Sequence, residues 1–317
     1  MGTHVVVGAG GIGRAAARHL VARGHEVVMA TRSGTDPQIE GVRPVTVDAA
    51  DPSSLEATLR GADTLVNAVN PARYDRWERD WPPVAAAMLT AAERTGAGLV
   101  TVSNLYGYGP VDGPMSEDTP AHPHGTKGRV RATMWADALG AHQAGRVRAT
   151  ELRASDYFGP GSSPRTSVLN AMVIGRAAVG RSVWLISGGS DVPHSWTYLD
   201  DIGALAAALA TDDRSWGRAW HVPTAEPRTA REVAADVARL VGRSAPAVRE
   251  LPVPVRALAR VSATVRELDE TRYQFDRPFV LDSTLTGRTF ALQPTPWERA
   301  LAETVTWLGR GAALVAA

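Results

Sequence analysis

The sequence predicts an α/β fold: a doubly wound parallel sheet that carries a smaller, discontinuous second domain. Three observations lead there. Short β-rich runs alternate with Ala-rich helical runs through the first half, the pattern of a parallel sheet with helices on both faces. A glycine-rich turn separates the first run from the first helix. Past residue 155 the alternation loosens into Pro- and Gly-rich loops and shorter elements.

In order, strands are predicted at His4–Val7, Glu26–Ala30, Arg43–Val47, Thr64–Ala68, Leu99–Val102 and Ala149–Arg153. The intervening helices are Gly11–Ala22, Ser53–Leu59, Pro83–Thr95 and Thr126–Ala144. Asp51-Pro52 supplies N-cap chemistry for the second helix. Further on, Val183–Ile186, His194–Tyr198 and Trp220–Val222 read as strands. Ile202–Ala210 and Ala230–Val241 read as helices, and Leu251–Val255 as a linker or edge. Residues 1–158 then form the nucleotide-binding domain, with 183–212 returning to it. Residues 159–182 and 213–317 form the substrate domain, set over the carboxyl edge of the sheet, where ligands bind in such folds.

Composition narrows the function. The 317 residues are 44% hydrophobic and 21% charged, with formal net charge +1 and no Cys. Disulfides, thiolate nucleophiles and Cys-based metal sites are excluded. No basic block suggests nucleic acid, and no apolar run reaches the length of a membrane span. The first strand begins at once, so no signal peptide is expected and the reading is a cytoplasmic protein. The abundance of Ala, Arg and Gly suggests a bacterial origin. Of the 34 Lys and Arg residues one is Lys, at position 127. Guanidinium and ammonium groups are not interchangeable, so an isolated Lys in an Arg-rich chain marks a position with a specific need.

Gly8-Ala9-Gly10-Gly11-Ile12-Gly13 matches G-x-G-x-x-G between a strand and a helix, the context of a dinucleotide fingerprint. Gly8 permits the tight turn, Gly10 opens backbone N–H groups to a pyrophosphate, and Gly13 lets the helix lie on the strand. Gly11 and Ile12 open the helix whose N-terminus favours an anion. The second strand ends Thr31-Arg32-Ser33 with no acid before Asp36. An NAD site usually has an acid there for the ribose 2′-OH. Arg32 suits a 2′-phosphate, with Thr31 and Ser33 as added donors, so NADP is expected over NAD.

With Lys127 placed after this half, the chain resembles the extended short-chain dehydrogenase/reductase superfamily, and most of all its NAD-dependent epimerase/dehydratase branch. The likeness covers most of the chain. It includes the glycine motif, Asp48-Ala49, Asn67-Ala68, the segment Val102 to Pro110, Leu152 to Gly161, and Tyr198-Leu199-Asp200-Asp201-Ile202. It implies a Rossmann domain in which Asp48 reaches the adenine and Ala68 lines the nicotinamide side. It also implies a homodimer formed through Pro83–Thr95 and Thr126–Ala144, and places Lys127 at the nicotinamide ribose.

The catalytic signature departs from the family's Tyr-x-x-x-Lys. Four residues before Lys127 stands Pro123, which has no proton to give. The family's Ser/Thr position falls on Asn104, one residue after Ser103. The amide of Asn104 can hydrogen-bond an oxyanion but cannot act as an acid. Three groups are candidate proton donors: Tyr106, tuned by Lys127; His124, at the start of the helix; and His194, near the domain junction. Arg165, Arg272 and Arg277 are candidates for an anionic substrate. No metal-ligand constellation is present, and Asp200-Asp201 reads as a helix N-cap pair. The leading expectation is an NADP-dependent oxidoreductase acting on a carbonyl or alcohol of a small metabolite. An epimerase, a redox-neutral isomerase or cyclase, and a non-catalytic NADP sensor are the alternatives.

Overall fold

The computed structural model describes residues 1–71, 73–162, 166–186, 189–251 and 269–316. Most of the expected linker over 251–255, and Arg165, lie outside the described residues. The central sheet has seven strands, all parallel: β1 (Thr3–Val7), β2 (Glu26–Thr31), β3 (Val42–Thr46), β4 (Thr64–Asn67), β5 (Gly98–Asn104), β6 (Ala149–Ala154) and, beyond three short strands described below, β10 (Ala219–His221). Their order is β10-β6-β5-β4-β1-β2-β3. The chain runs outward from β1 to β3, then crosses back to β4 and runs outward the other way. That reversal leaves a crevice at the carboxyl ends of β1 and β4.

Alternation along the strands sorts the core. Val6 of β1 packs with Ala16 and Leu20 of α1 (Gly11–Ala22) and with Ile202 and Leu205 of α6 (Leu199–Thr211). Val5 and Val7 face the other side, with Leu55 of α2 (Pro52–Leu59), Met88 of α3 (Trp77–Thr95) and Ala138 of α4 (Gly125–Gln143). Both faces are covered, as an all-parallel sheet requires. Helices α1 and α6 pack closely because Gly203 has no side chain: a Cβ there would lie 2.5 Å from the Ala15 Cβ.

Helix α3 begins at Trp77, six residues before the expected start at Pro83, and runs through Pro82 and Pro83. Proline removes a backbone donor and is favoured at a helix's first turn, which is why the sequence pointed to Pro83. Burial of Trp77 and Trp81 on one face, four residues apart, outweighs that preference. The segment His194–Tyr198 is strand only over β9 (Thr197–Tyr198), which pairs with β7 (Tyr157–Phe158).

The second half departs from the expected partition in two places. After the short helix α5 (Gly175–Ala178), strand β8 (Val183–Ile186) does not return to the central sheet but pairs with β11 (Val248–Leu251). Strand β10, expected in the substrate domain, is the sheet's seventh strand. Helix α6 is the part of 183–212 that does pack on the sheet. The remaining core gathers Phe158, Leu169, Val173 and Trp196 with Val233 and Val237 of α7 (Ala230–Leu240). Trp297 and Leu301 complete it from the final helix, which begins at Trp297. Asp200 and Asp201 are not N-caps. They lie in the first turn of α6, with Asp200 bound to Arg18 and His19. Asp201 accepts from Thr295 N and Oγ1 at 2.9 and 2.6 Å.

Beneath β10 the buried His221 ring bridges two partners. Nδ1 lies 2.7 Å from the Asp282 carbonyl, and Nε2 lies 2.7 Å from the Tyr108 phenol. The carbonyl only accepts, so Nδ1 carries the hydrogen and Nε2 accepts from the phenol. The neutral ring makes both bonds, and burial pushes its pKa down to about 4. Such a group stabilises the fold fully above the unfolded value near 6.5. That stability is lost as pH falls toward about 4, because only the unfolded chain takes up the proton. His4, also lowered to about 4 by burial and then by His25, acts in the same sense. Asp201, raised to about 6 chiefly by burial, acts in the opposite sense. We expect unfolding between pH 6.5 and 4 to take up about one proton fewer in a His221→Gln variant than in the parent. Urea-melt midpoints recorded across that range measure the difference, and equal pH slopes would contradict the assignment.

Candidate active site

A cavity of about 1300 Å³ opens at the carboxyl edge of the sheet, where the strand order reverses. The glycine turn forms one end. Gly8 adopts φ +107°, and a Cβ there would lie 2.8 Å from the Ala68 carbonyl oxygen. Gly13 sits against the Gly8 carbonyl with no room for a side chain, which seats α1 on β1. Above Gly10, by contrast, there is open space within 4 Å of where a Cβ would be. Gly11 admits the loop at Gly161, whose carbonyl oxygen would be 2.6 Å from an added Cβ.

Of the nucleotide residues expected from sequence, Gly8, Gly10, Gly11, Ile12, Thr31, Arg32, Asp48, Ala49 and Ala68 line this cavity. Arg32 is exposed and makes no ion pair among the described residues. Gly13 acts through packing and is not on the wall. Ser33 is not on the wall either, and its hydroxyl accepts from Thr35 Oγ1 at 2.8 Å in a local turn.

The end of β5 forms the cavity floor with Ser103, Asn104 and Tyr106. The Asn104 side chain accepts from Tyr106 N at 3.1 Å, capping the turn Leu105–Tyr108, so its oxygen orders the loop. The Tyr106 ring lies 6.2 Å from Trp77. Helix α4 reaches this turn closely because of Gly128: a Cβ there would be 2.8 Å from the Tyr106 carbonyl oxygen. Two residues of the wall, Ser103 and Ser155, have hydroxyls that are themselves buried and without a hydrogen-bond partner among the described residues.

The resemblance implied the nicotinamide ribose as the partner of Lys127. This side chain is 1% exposed and absent from the cavity wall, and its ammonium lies 3.0 Å from Glu270 Oε2. Glu270 Oε1 also accepts from the Lys127 backbone N–H at 2.6 Å. This carboxylate serves an orphan donor in the first turn of α4, whose N-cap residue His124 makes no side-chain cap. Gly125, at φ +68°, has no side chain to collide with Glu270. One turn further along the same helix face, Arg131 does line the cavity. It is buried, its guanidinium 4.4 Å from the Trp81 ring and 4.9 Å from Trp77, with Nη1 donating to the Val102 carbonyl at 3.4 Å. His124 is exposed, packs edge-on to Tyr273 and does not reach the wall.

Asp156, Gln274 and Phe279 also line the cavity. Asp156 Oδ2 lies 3.1 Å from Nε2 of the buried His194. Sequence reasoning named His194 and missed Asp156, Arg131 and Glu270. The polar position just after β6 was the one local signal for Asp156. Arg272 and Arg277 pair with Asp276 and Asp112 and do not line the cavity. Among the described residues there is no cluster able to hold a metal ion, and no helix long and apolar enough to cross a membrane.

Known proteins carry the same architecture. The chain is 28% identical over 262 residues to a 2-alkyl-3-oxoalkanoate reductase of Stenotrophomonas maltophilia (strain K279a), covering 75% of each. It superposes on the dTDP-glucose 4,6-dehydratase of Bacillus anthracis str. Ames, solved with NAD, with a TM-score of 0.80, 16% identity and 99% and 98% coverage of the two chains. The UDP-glucose 4-epimerase of Thermotoga maritima, solved with UDP-glucose, gives 0.77 at 17% identity and 98% and 99% coverage. Residues 4–222 match the model of the NAD dependent epimerase/dehydratase family. The fold is thus that of the extended short-chain dehydrogenase/reductase enzymes. This chain belongs to the NAD dependent epimerase/dehydratase family.

The Lys127 ammonium is buried and Glu270 is 17% exposed, so removing either partner weakens the charge balance of the other. Lys127→Met is expected to cost about 3–5 kcal/mol of stability, and Lys127→Met with Glu270→Met together less than the sum of the singles. Denaturant melts of the four proteins check this; additive losses would show that the two groups do not interact.

Proposed function

We propose that this protein is a reductase that uses a nicotinamide dinucleotide, NADP in preference to NAD, on a carbonyl of a small metabolite. One observation carries the reading. The glycine turn and the polar residues Ser103, Tyr106 and Ser155 at the ends of two neighbouring strands line one and the same cavity. The open space above Gly10 fits a pyrophosphate at the N-terminus of α1, so the residues present suit the cofactor. When bound, it supplies the hydride.

The chain's own residues divide the rest of the work. Arg32, exposed at the cavity's edge, suits the 2′-phosphate of NADP. Asp48 faces the adenine side and Ala68 the nicotinamide side. Arg131 takes the ribose contact that the sequence suggested for Lys127, since it is the cation that α4 presents to the cavity. The Ser103 hydroxyl and the Tyr106 phenol donate hydrogen bonds to the substrate oxygen and stabilise the charge that develops there. The family relative that reduces 2-alkyl-3-oxoalkanoates supplies a first substrate class to try.

Two measurements test this. Arg32→Ser should weaken NADPH binding about tenfold while leaving NADH nearly unaffected, read by nucleotide fluorescence titration. A parent protein that binds NADH more tightly than NADPH would refute the preference. Tyr106→Phe should lower turnover of a 2-alkyl-3-oxoalkanoate about 10²-fold at saturating NADPH with little change in NADPH affinity; undiminished turnover would remove Tyr106 from the site.

A further inference from the structure

Two buried histidines in this chain direct Nδ1 at a backbone carbonyl, and they differ in what meets the other nitrogen. For His221 that partner is the Tyr108 phenol, a donor, and the neutral ring is satisfied. For His194, Nδ1 lies 3.2 Å from the Gln274 carbonyl, so Nδ1 carries the hydrogen. Its Nε2 then faces Asp156 Oδ2 at 3.1 Å. A neutral imidazole would present a lone pair to a carboxylate oxygen, and the two would repel. The contact requires one extra proton, held either as carboxylic acid and imidazole or as carboxylate and imidazolium. The two atoms approach within 3.1 Å but are not aligned as a regular hydrogen bond.

The surroundings give the proton one outlet. The His194 ring is 2% exposed and stacks on Trp196 at 4.1 Å and Phe275 at 5.2 Å. It cannot touch a ligand. The Asp156 side chain is 25% exposed and lines the cavity, as do Ser103, Ser155 and Tyr106. We infer that Asp156 is the acid that protonates the substrate oxygen, and that His194 is the positioning residue that keeps the carboxyl supplied. This rests on the reductase reading above.

The step balances. As hydride reaches the carbonyl carbon, the C=O π pair moves to oxygen. The Asp156 O–H bond breaks and an O–H bond forms on the substrate. The ketone is reduced to the alcohol and the dinucleotide is oxidised. Asp156 is left as a carboxylate opposite the His194 lone pair, and their repulsion draws a proton from water through the cavity. The other titratable groups near the pair are Tyr157, Tyr273 and Glu270. Both phenols are raised first by burial, and Asp156 adds to the rise in each, while a hydrogen bond with Thr166 lowers Tyr157. Glu270 adds to the effect on Tyr273.

The test combines a spectroscopic and a kinetic readout. In full-length protein labelled with ¹⁵N-histidine, the His194 ring, assigned by its loss in His194→Gln, should show a protonated Nδ1. Its Nε2 signal should move when Asp156 becomes Asn. A His194 signal unchanged by Asp156→Asn overturns the shared proton. With NADPH and a 2-alkyl-3-oxoalkanoate, Asp156→Asn should lower kcat by about 10²-fold or more while NADPH affinity, read by fluorescence, is retained. His194→Gln should lower kcat by about tenfold with the substrate KM unchanged. Parent-like kcat in His194→Gln, or a change in KM alone, overturns its role. Parent-like turnover in Asp156→Asn overturns the acid assignment alone. A parent that binds NADPH but reduces no carbonyl overturns the reductase reading, and the catalytic role with it.

Discussion

The ion pair between Lys127 and Glu270 ties the sheet half of the molecule to the segment that closes the cavity. The same carboxylate holds the first turn of α4 through the Lys127 N–H, so one side chain fixes both the helix and the strap. Four residues beyond Glu270 stands Gln274, whose side of the chain forms cavity wall and whose carbonyl sets the tautomer of His194. His194 in turn faces Asp156. A contact outside the cavity wall is thereby linked, through Gln274 and His194, to a carboxyl group on that wall. In a low-dielectric interior such a chain of contacts has few alternative arrangements.

The site solves a problem posed by its own helix. Pro123 stands four residues before Lys127, so α4 presents no phenol there. What α4 contributes instead is Arg131, stacked on two indoles and anchored to the end of β5. An indole face and a buried carbonyl make a guanidinium tolerable where an ammonium would lose more hydration. Polar donors then come from the strand ends, Ser103 and Tyr106 from β5 and its turn, Ser155 and Asp156 from the residues after β6. Six of the seven parallel strands bring their carboxyl ends to the cavity, so neighbouring strand ends are neighbours there.

Local patterns made much of this legible. Alternating strands and helices, the Gly8–Gly13 turn and the strand ends at Thr31, Asp48 and Ala68 could be read because each depends on a few adjacent residues. The start of α3 was misread because a proline preference is local, whereas burial of Trp77 and Trp81 depends on Arg131, about fifty residues away. Composition singled out Lys127, but only packing shows that 127 meets Glu270 and that 131 lines the cavity. The Asp156–His194 pair was invisible for the same reason. Thirty-eight residues separate its members, and what distinguishes His194 from His221 is a partner atom, not a motif.

The lone lysine has one further consequence. The chain has a single side-chain amine, and that amine is enclosed between α4 and Glu270. An acylating reagent can reach it only in molecules where those two segments have come apart. Covalent mass added at residue 127 is therefore a chemical record of opening events: a clock for the separation of the two halves, readable by mass spectrometry without an introduced probe.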